Sequence, residues 1–88
     1  MAPKSSLSPG SPEWARELGA GVRQKRKLLG LTQAQLADLA QCGPDFLYDL
    51  ERGKPSIRLD KLMPVLEVLG LRLKLEARNP AAIDVEAQ

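Results

Sequence analysis

The sequence predicts an all-α domain of four to five helices followed by a single C-terminal β-strand. Three observations carry that expectation. Leucine, valine, isoleucine and alanine recur at three- and four-residue intervals from about residue 12 to residue 69, the spacing of helices with one buried stripe. Aromatic residues are only 3% of the chain against 43% hydrophobic, so the core has to be aliphatic, and aliphatic side chains interdigitate well between helices. The period then switches to two in LRLKLEAR, residues 71–78, where Leu71, Leu73, Leu75 and Ala77 alternate with Arg72, Lys74, Glu76 and Arg78.

Residues 1–10 contain two prolines, three serines and a glycine with little to bury, and read as a tail. Ser11-Pro12-Glu13 has the composition of a helix start: a capping hydroxyl, a proline at the first helical position and an acid in the first turn. The first helix is expected from about Pro12 to Leu29, stopping at Gly30, with a bend or a late start near Leu18 because Gly19 and Gly21 weaken it. Thr32 is placed to cap a second helix, Gln33 to Ala40, burying Leu36, Leu39 and Ala40. Gly43-Pro44 opens a third, with Phe46, Leu47 and Leu50 inward, and Gly53 and Pro55 close it. Two apolar-faced helices joined by a three-residue turn make a helix-turn-helix.

A fourth helix is expected from Leu59 to Leu69, ending at Gly70, with Leu59, Leu62, Met63, Leu66 and Leu69 inward. Pro64 lacks the N–H that would bond Asp60, so a kink or a detached first turn is expected there. The strand at 71–78 would leave its ladder groups bare in a single chain, so its partner is expected to be the same strand of a second copy about a two-fold axis, making a homodimer. The resulting organisation is a tail at 1–10, a helix-turn-helix domain at 11–70, a dimerisation strand at 71–78 and a C-terminal tail at 79–88.

Composition also removes function classes. Cys42 is the one cysteine and there is no histidine, so intrachain disulfides, Cys/His zinc sites and histidine acid-base catalysis are all excluded, and no nucleophile-base pair remains for an enzyme. No cofactor or metal is expected. No apolar run approaches the roughly 20 residues of a membrane span, and the expected location is a reducing cytoplasm. Thirteen basic residues against eleven acidic leave a net charge of only +2, so any attraction to nucleic acid depends on where the charges lie. Arg23, Lys25, Arg26 and Lys27 cluster late in the first helix, with no acid between Glu17 and Asp38, and Arg52, Lys54 and Arg58 follow the third. The bland alternative for Lys25 or Lys27 is a solvated helix face.

The segment LGLTQAQLADLAQCGPDFLYDLERGK resembles the helix-turn-helix core of the Cro/phage-repressor superfamily, in which Thr-Gln opens the first helix of the pair and Leu-Glu-x-Gly-Lys closes the second. With ERGKPSIRLDKL and the alternating strand added, residues 18–78 resemble its HipB branch, antitoxins that bind DNA and neutralise HipA-type kinase toxins. The resemblance implies a lambda-repressor-like fold. Its further implications are double-stranded DNA as ligand, read at a palindromic operator, and a HipA-like kinase as protein partner. It also implies that Gln33, at the start of the second helix, meets a phosphate, that Pro44, Asp45, Tyr48 and Asp49 face base edges, and that Thr32 and Gly43 belong to the same DNA-binding surface. Arg52, Lys54 and Arg58 would hold the backbone alongside. Glu51 and Arg26 fall at positions that form an internal ion pair in that superfamily.

Asp45 and Asp49 depart from the pattern, since acids on a DNA-facing helix repel phosphates. Each could accept from a cytosine amino group, thin out non-specific binding, or face a protein. Tyr48 could stack on DNA or shield its helix. Trp14 reads first as a staple closing the core and second as a partner anchor, and Cys42 as a small apolar turn residue. Two rivals remain: a stand-alone phage-like repressor, and a protein-only adaptor that has lost DNA binding.

Overall fold

A computed structural model describes residues 10–77, which form four helices: α1 (Glu13–Leu28), α2 (Gln33–Ala40), α3 (Pro44–Glu51) and α4 (Leu59–Leu69). The expectations for residues 1–9 and 78–88 lie outside the described residues. Each helix ends where the sequence supplies a residue suited to left-handed backbone or a break. Gly30 (φ 73°) and Gly70 (φ 72°) follow α1 and α4, and Leu31 and Leu71 return their N–H groups to the Arg26 and Leu66 carbonyls at 3.1 and 2.8 Å. Gln41 takes the left-handed conformation after α2 although it is not glycine (φ 57°).

The start of α2 is a full capping box. Thr32 Oγ1 accepts from the Gln35 N–H at 3.0 Å while Gln35 Oε1 accepts from the Thr32 N–H at 2.9 Å. α1 begins differently from expectation: Pro12 is the N-cap residue itself, its carbonyl accepting from Ala15 and Arg16, and the buried Ser11 accepts at its carbonyl from Arg16 Nη1.

α1 runs as one helix from Glu13 through Gly19 and Gly21, which corrects the expected late start near Leu18. Packing supplies the reason. A Cβ on Gly19 would stand 2.3 Å from the Leu50 carbonyl oxygen and 2.9 Å from that of Glu51, so the missing side chain lets α1 lie directly against the end of α3. α4 likewise continues through Pro64 as a single helix, with no detached first turn.

The core is aliphatic, built on Val22, Leu36, Ala37, Ala40, Leu47, Leu50, Leu62, Val65, Leu66 and Leu69, with Leu18, Phe46 and Ile57 packed on its edge. α1 packs on α3 and α4, and α2 on α3 and α4. Three residues expected inside are outside: Leu39, Leu59 and Met63 are 57%, 59% and 40% exposed, and Ala37 and Val65 take the inner places. Both choices satisfy a 3.6-residue period, and only the neighbouring helices decide which edge of the stripe is covered. Trp14 is also corrected, because it is 53% exposed and closes no part of the described core.

Residues 71–77 form no strand. Leu71 packs on the core, whereas Leu73 and Leu75 are exposed. A strand exists only through ladder hydrogen bonds to another strand, and among the described residues of one chain there is none to supply them.

Candidate nucleic-acid interface

The helix-turn-helix is braced from behind by a buried polar network. Arg26 on α1 donates from Nε to Glu51 Oε2 at 2.7 Å and from Nη2 to Oε1 at 3.0 Å, and its Nη1 donates to the Leu31 carbonyl at 2.8 Å. Gln33, the first residue of α2, adds Nε2 to Glu51 Oε1 at 3.0 Å. One carboxylate thus ties together α1, α2 and the end of α3, and one guanidinium holds the loop between α1 and α2. The side chains of Arg26 and Glu51 are 9% and 3% exposed. Hydrogen bonding to Glu51 raises the Arg26 pKa above its ordinary value and outweighs the opposing effect of burial, so the guanidinium stays charged. Among the described residues no buried side-chain nitrogen or oxygen lacks a hydrogen-bond partner.

Gln33 is held by this network from within. A carboxamide nitrogen carries two hydrogens, so the bond to Glu51 leaves one N–H for an external acceptor beside the exposed Thr32. The inward bond was not legible from the sequence; the resemblance assigned Gln33 only an outward role.

The outer face of α3 presents Pro44, Asp45 and Tyr48 to solvent, with the half-buried Asp49 and Arg52 beside them and the exposed Gly43 at the turn. The Arg52 guanidinium carbon lies over the Tyr48 ring, 4.8 Å from its centroid, an i, i+4 cation–π contact. Lys54 Nζ is 3.4 Å from Asp49 Oδ2. Arg58 Nη2 is 2.6 Å from Asp60 Oδ2, and this hydrogen bond holds the Asp60 carboxyl below its ordinary pKa. The expected flanking cations are therefore on the same side of the molecule as α3 or in the loop after it, but two of them already hold carboxylates. Sequence reasoning missed the Asp49–Lys54 pair, because five residues is not a helical spacing. It closes because Gly53, at φ 85°, turns the chain back over the end of α3.

Cys42 is half-buried in the turn and packs on the core; burial pushes its thiol pKa up, against a smaller lowering influence from Lys61. The described residues contain no cluster of histidine, cysteine or carboxylate side chains that could hold a metal ion. No helix among them is long and apolar enough to cross a membrane.

Two short helices at a three-residue turn, the second offering an exposed polar face, define the class: a helix-turn-helix protein of the kind that docks on duplex DNA. The chain belongs to the Helix-turn-helix family of Cro/C1 type, which it matches over residues 22–75, more than half its length. It is 41% identical over 61 residues to an uncharacterized HTH-type transcriptional regulator, y4mF, of Sinorhizobium fredii, spanning 69% of this chain and 80% of that one. The fold is similar to the crystal structure of the clp gene regulator ClgR from Corynebacterium glutamicum, with a TM-score of 0.62 and 31% identity over 73% of this chain and 82% of the other. It is also similar to the restriction-modification controller protein C.AhdI from Aeromonas hydrophila, with a TM-score of 0.63 over 69% of this chain and 92% of the other; at 23% identity that likeness concerns the fold alone. The chain is a DNA-binding helix-turn-helix transcriptional regulator, and its relatives are regulators, not enzymes.

Proposed function

We propose that the protein is a cytoplasmic, homodimeric repressor that reads a palindromic operator, its two α3 helices entering successive major grooves about 34–36 Å apart. The observation that carries this reading is the exposed polar face of α3, held at a fixed angle by the Arg26–Glu51–Gln33 network behind it. Thr32 and Gln33 meet a phosphate at the positive end of α2, and Arg52, Lys54 and Arg58 grip the backbone on the other side. Gly43, Pro44, Asp45, Tyr48 and Asp49 stand toward the base edges. Dimerisation uses the 71–78 segment, where Leu71, Leu73, Leu75 and Ala77 form one face of an antiparallel pair between two copies.

The repressor is the HipB-like antitoxin of a HipA-like kinase, which it neutralises while repressing their shared operon. This part rests on the resemblance of ERGKPSIRLDKL and the alternating leucines to that branch. The exposure of Trp14 is compatible with a protein partner on the side of α1. A stand-alone repressor differs only in lacking the kinase, and a kinase gene beside this one separates the two. The adaptor reading draws on Asp45 and Asp49, which put negative charge where DNA would lie.

Fluorescence anisotropy on the protein's own promoter and on scrambled DNA, across a salt series, tests the central reading. Tighter promoter binding that weakens steeply with salt is the expected result. Equal and salt-insensitive binding would instead favour the adaptor.

A further inference from the structure

Asp49 and Lys54 touch twice. The Lys54 N–H donates to the Asp49 main-chain carbonyl at 3.0 Å, and the Lys54 ammonium lies 3.4 Å from the Asp49 carboxylate. The turn at Gly53 fixes the first contact and brings the two side chains to the same edge of α3, within reach of the second. The pair borders an open groove between α3 and the loop after it, whose rim also carries Ser56, Arg58 and Lys61. A phosphate entering that groove meets Lys54 with its charge already answered.

We propose that Asp49 is a specificity gate acting through Lys54: its carboxylate holds the ammonium in place of a phosphate until a cytosine in the operator offers the carboxylate another donor. The inference rests on the DNA-reading function proposed above. Where the base pair opposite Asp49 offers no amino group in reach, Lys54 stays paired, and one backbone contact is lost. On the operator the cytosine amino group donates to Asp49, and Lys54 turns to the backbone. Base readout and phosphate contact become one coupled event. Asp49 is thus a positioning residue for Lys54 as well as a reader, and an acid on a DNA-facing helix adds discrimination by weakening binding to wrong sequences.

A double-mutant cycle of Asp49→Asn and Lys54→Gln tests this, read by anisotropy on promoter and scrambled DNA over a salt series, with melting curves to verify folding and Asp49→Ser as a second variant. Asp49→Asn is expected to raise affinity for scrambled DNA about two- to five-fold, the scale of an exposed ion pair. It should steepen the salt slope by about one and lower the promoter-to-scrambled ratio. In the Lys54→Gln background the gain should vanish. If the gain persists without Lys54, Asp49 merely repels phosphates and the gate is overturned. If Asp49→Asn weakens promoter binding and leaves scrambled DNA unchanged, Asp49 is a plain base reader and the gate is again overturned. Absence of promoter preference in the unmutated protein would sink the DNA-reading function itself, and the gate with it.

Discussion

Arg26 and Glu51, 25 residues apart in sequence, meet in a two-bond pairing at 2.7 and 3.0 Å, almost entirely out of solvent. The relationship sets the geometry of the helix-turn-helix. α3 is only eight residues long, too short to hold its own orientation, and the pair anchors its last residue to α1 while Gln33 draws in the start of α2. Apolar packing alone would let the short α3 slide along α1; a planar guanidinium against a planar carboxylate fixes its register.

The pair's stability role is testable by removing one partner at a time. Arg26→Met leaves Glu51 buried with the Gln33 amide as its remaining partner, and the expected cost is about 3–5 kcal/mol. For a domain this size that lowers Tm by more than about 10 °C in a thermal melt. The double replacement Arg26→Met/Glu51→Leu should regain most of the loss, because no uncompensated charge is left inside. If Arg26→Met alone melted within a degree or two of the unmutated protein, the network would not be bracing the fold.

Gly19 and Gly21 supply an opposed pair of predictions. Gly19→Ala forces a methyl to within 2.3 Å of a backbone oxygen on α3, so α1 and α3 must separate, and a loss of about 1–3 kcal/mol is expected on the scale of overpacked cores. Gly21→Ala meets nothing within 4 Å and removes a weak helix former, so it should stabilise by about 0.5–1 kcal/mol. Urea melts of the two variants moving in the same direction would contradict the packing of α1 on α3.

These glycines also show what the sequence made legible. The boundaries of α2, α3 and α4 could be read because each depends on local chemistry: Thr32 at the start of α2, Pro44 at the start of α3, Gly70 after α4. The role of Gly19 could not, since it looks like a defect until α3 is placed beside it, whereas Gly21 meets nothing and costs helix propensity as it first suggests. Leu39 against Ala37, and Met63 against Val65, are the same kind of ambiguity: one helical period allows either edge to be buried, and the partner helices choose. The alternation at 71–78 was plain, but a strand is a relation between segments, and its partner is not written in the chain. At the interface, the resemblance supplied the positions of Gln33 and Glu51 but not the bond between them, which crosses from α2 to α3.

The loop after α3 gives a titration prediction. Asp60 ionises below the usual carboxylate range, chiefly because Arg58 hydrogen-bonds it. A depressed folded-state pKa contributes stability that is present above the unfolded value and disappears as pH falls through the folded one. Both side chains are largely exposed, so screening keeps that contribution small. Arg58→Gln should therefore move the Asp60 carboxyl resonance midpoint upward in an NMR titration with little change in Tm. An unmoved midpoint would show that Arg58 does not sit on Asp60 in solution.

The leucines after α4 carry the proposed dimer and can be tested without DNA. Leu73 is 45% exposed and Leu75 74%, an apolar pair that a lone chain leaves in water, while Lys74 and Glu76, the alternate positions, pair with each other at 3.6 Å. If two copies bury the leucine face, Leu73→Lys places a charge, and across the two-fold axis a like charge, in the middle of that face. The expected outcome is a fall from dimer to monomer mass by light scattering at micromolar concentration, with Tm becoming independent of protein concentration. Lys74→Gln, on the opposite side of the alternation, should leave the mass unchanged. Loss of the dimer should also weaken promoter binding far more than half-site binding, since the second α3 would no longer be held one turn away. A dimer mass retained by Leu73→Lys would remove residues 71–78 from the interface and direct attention to Leu59 and Met63, the exposed apolar pair one helical turn apart on α4.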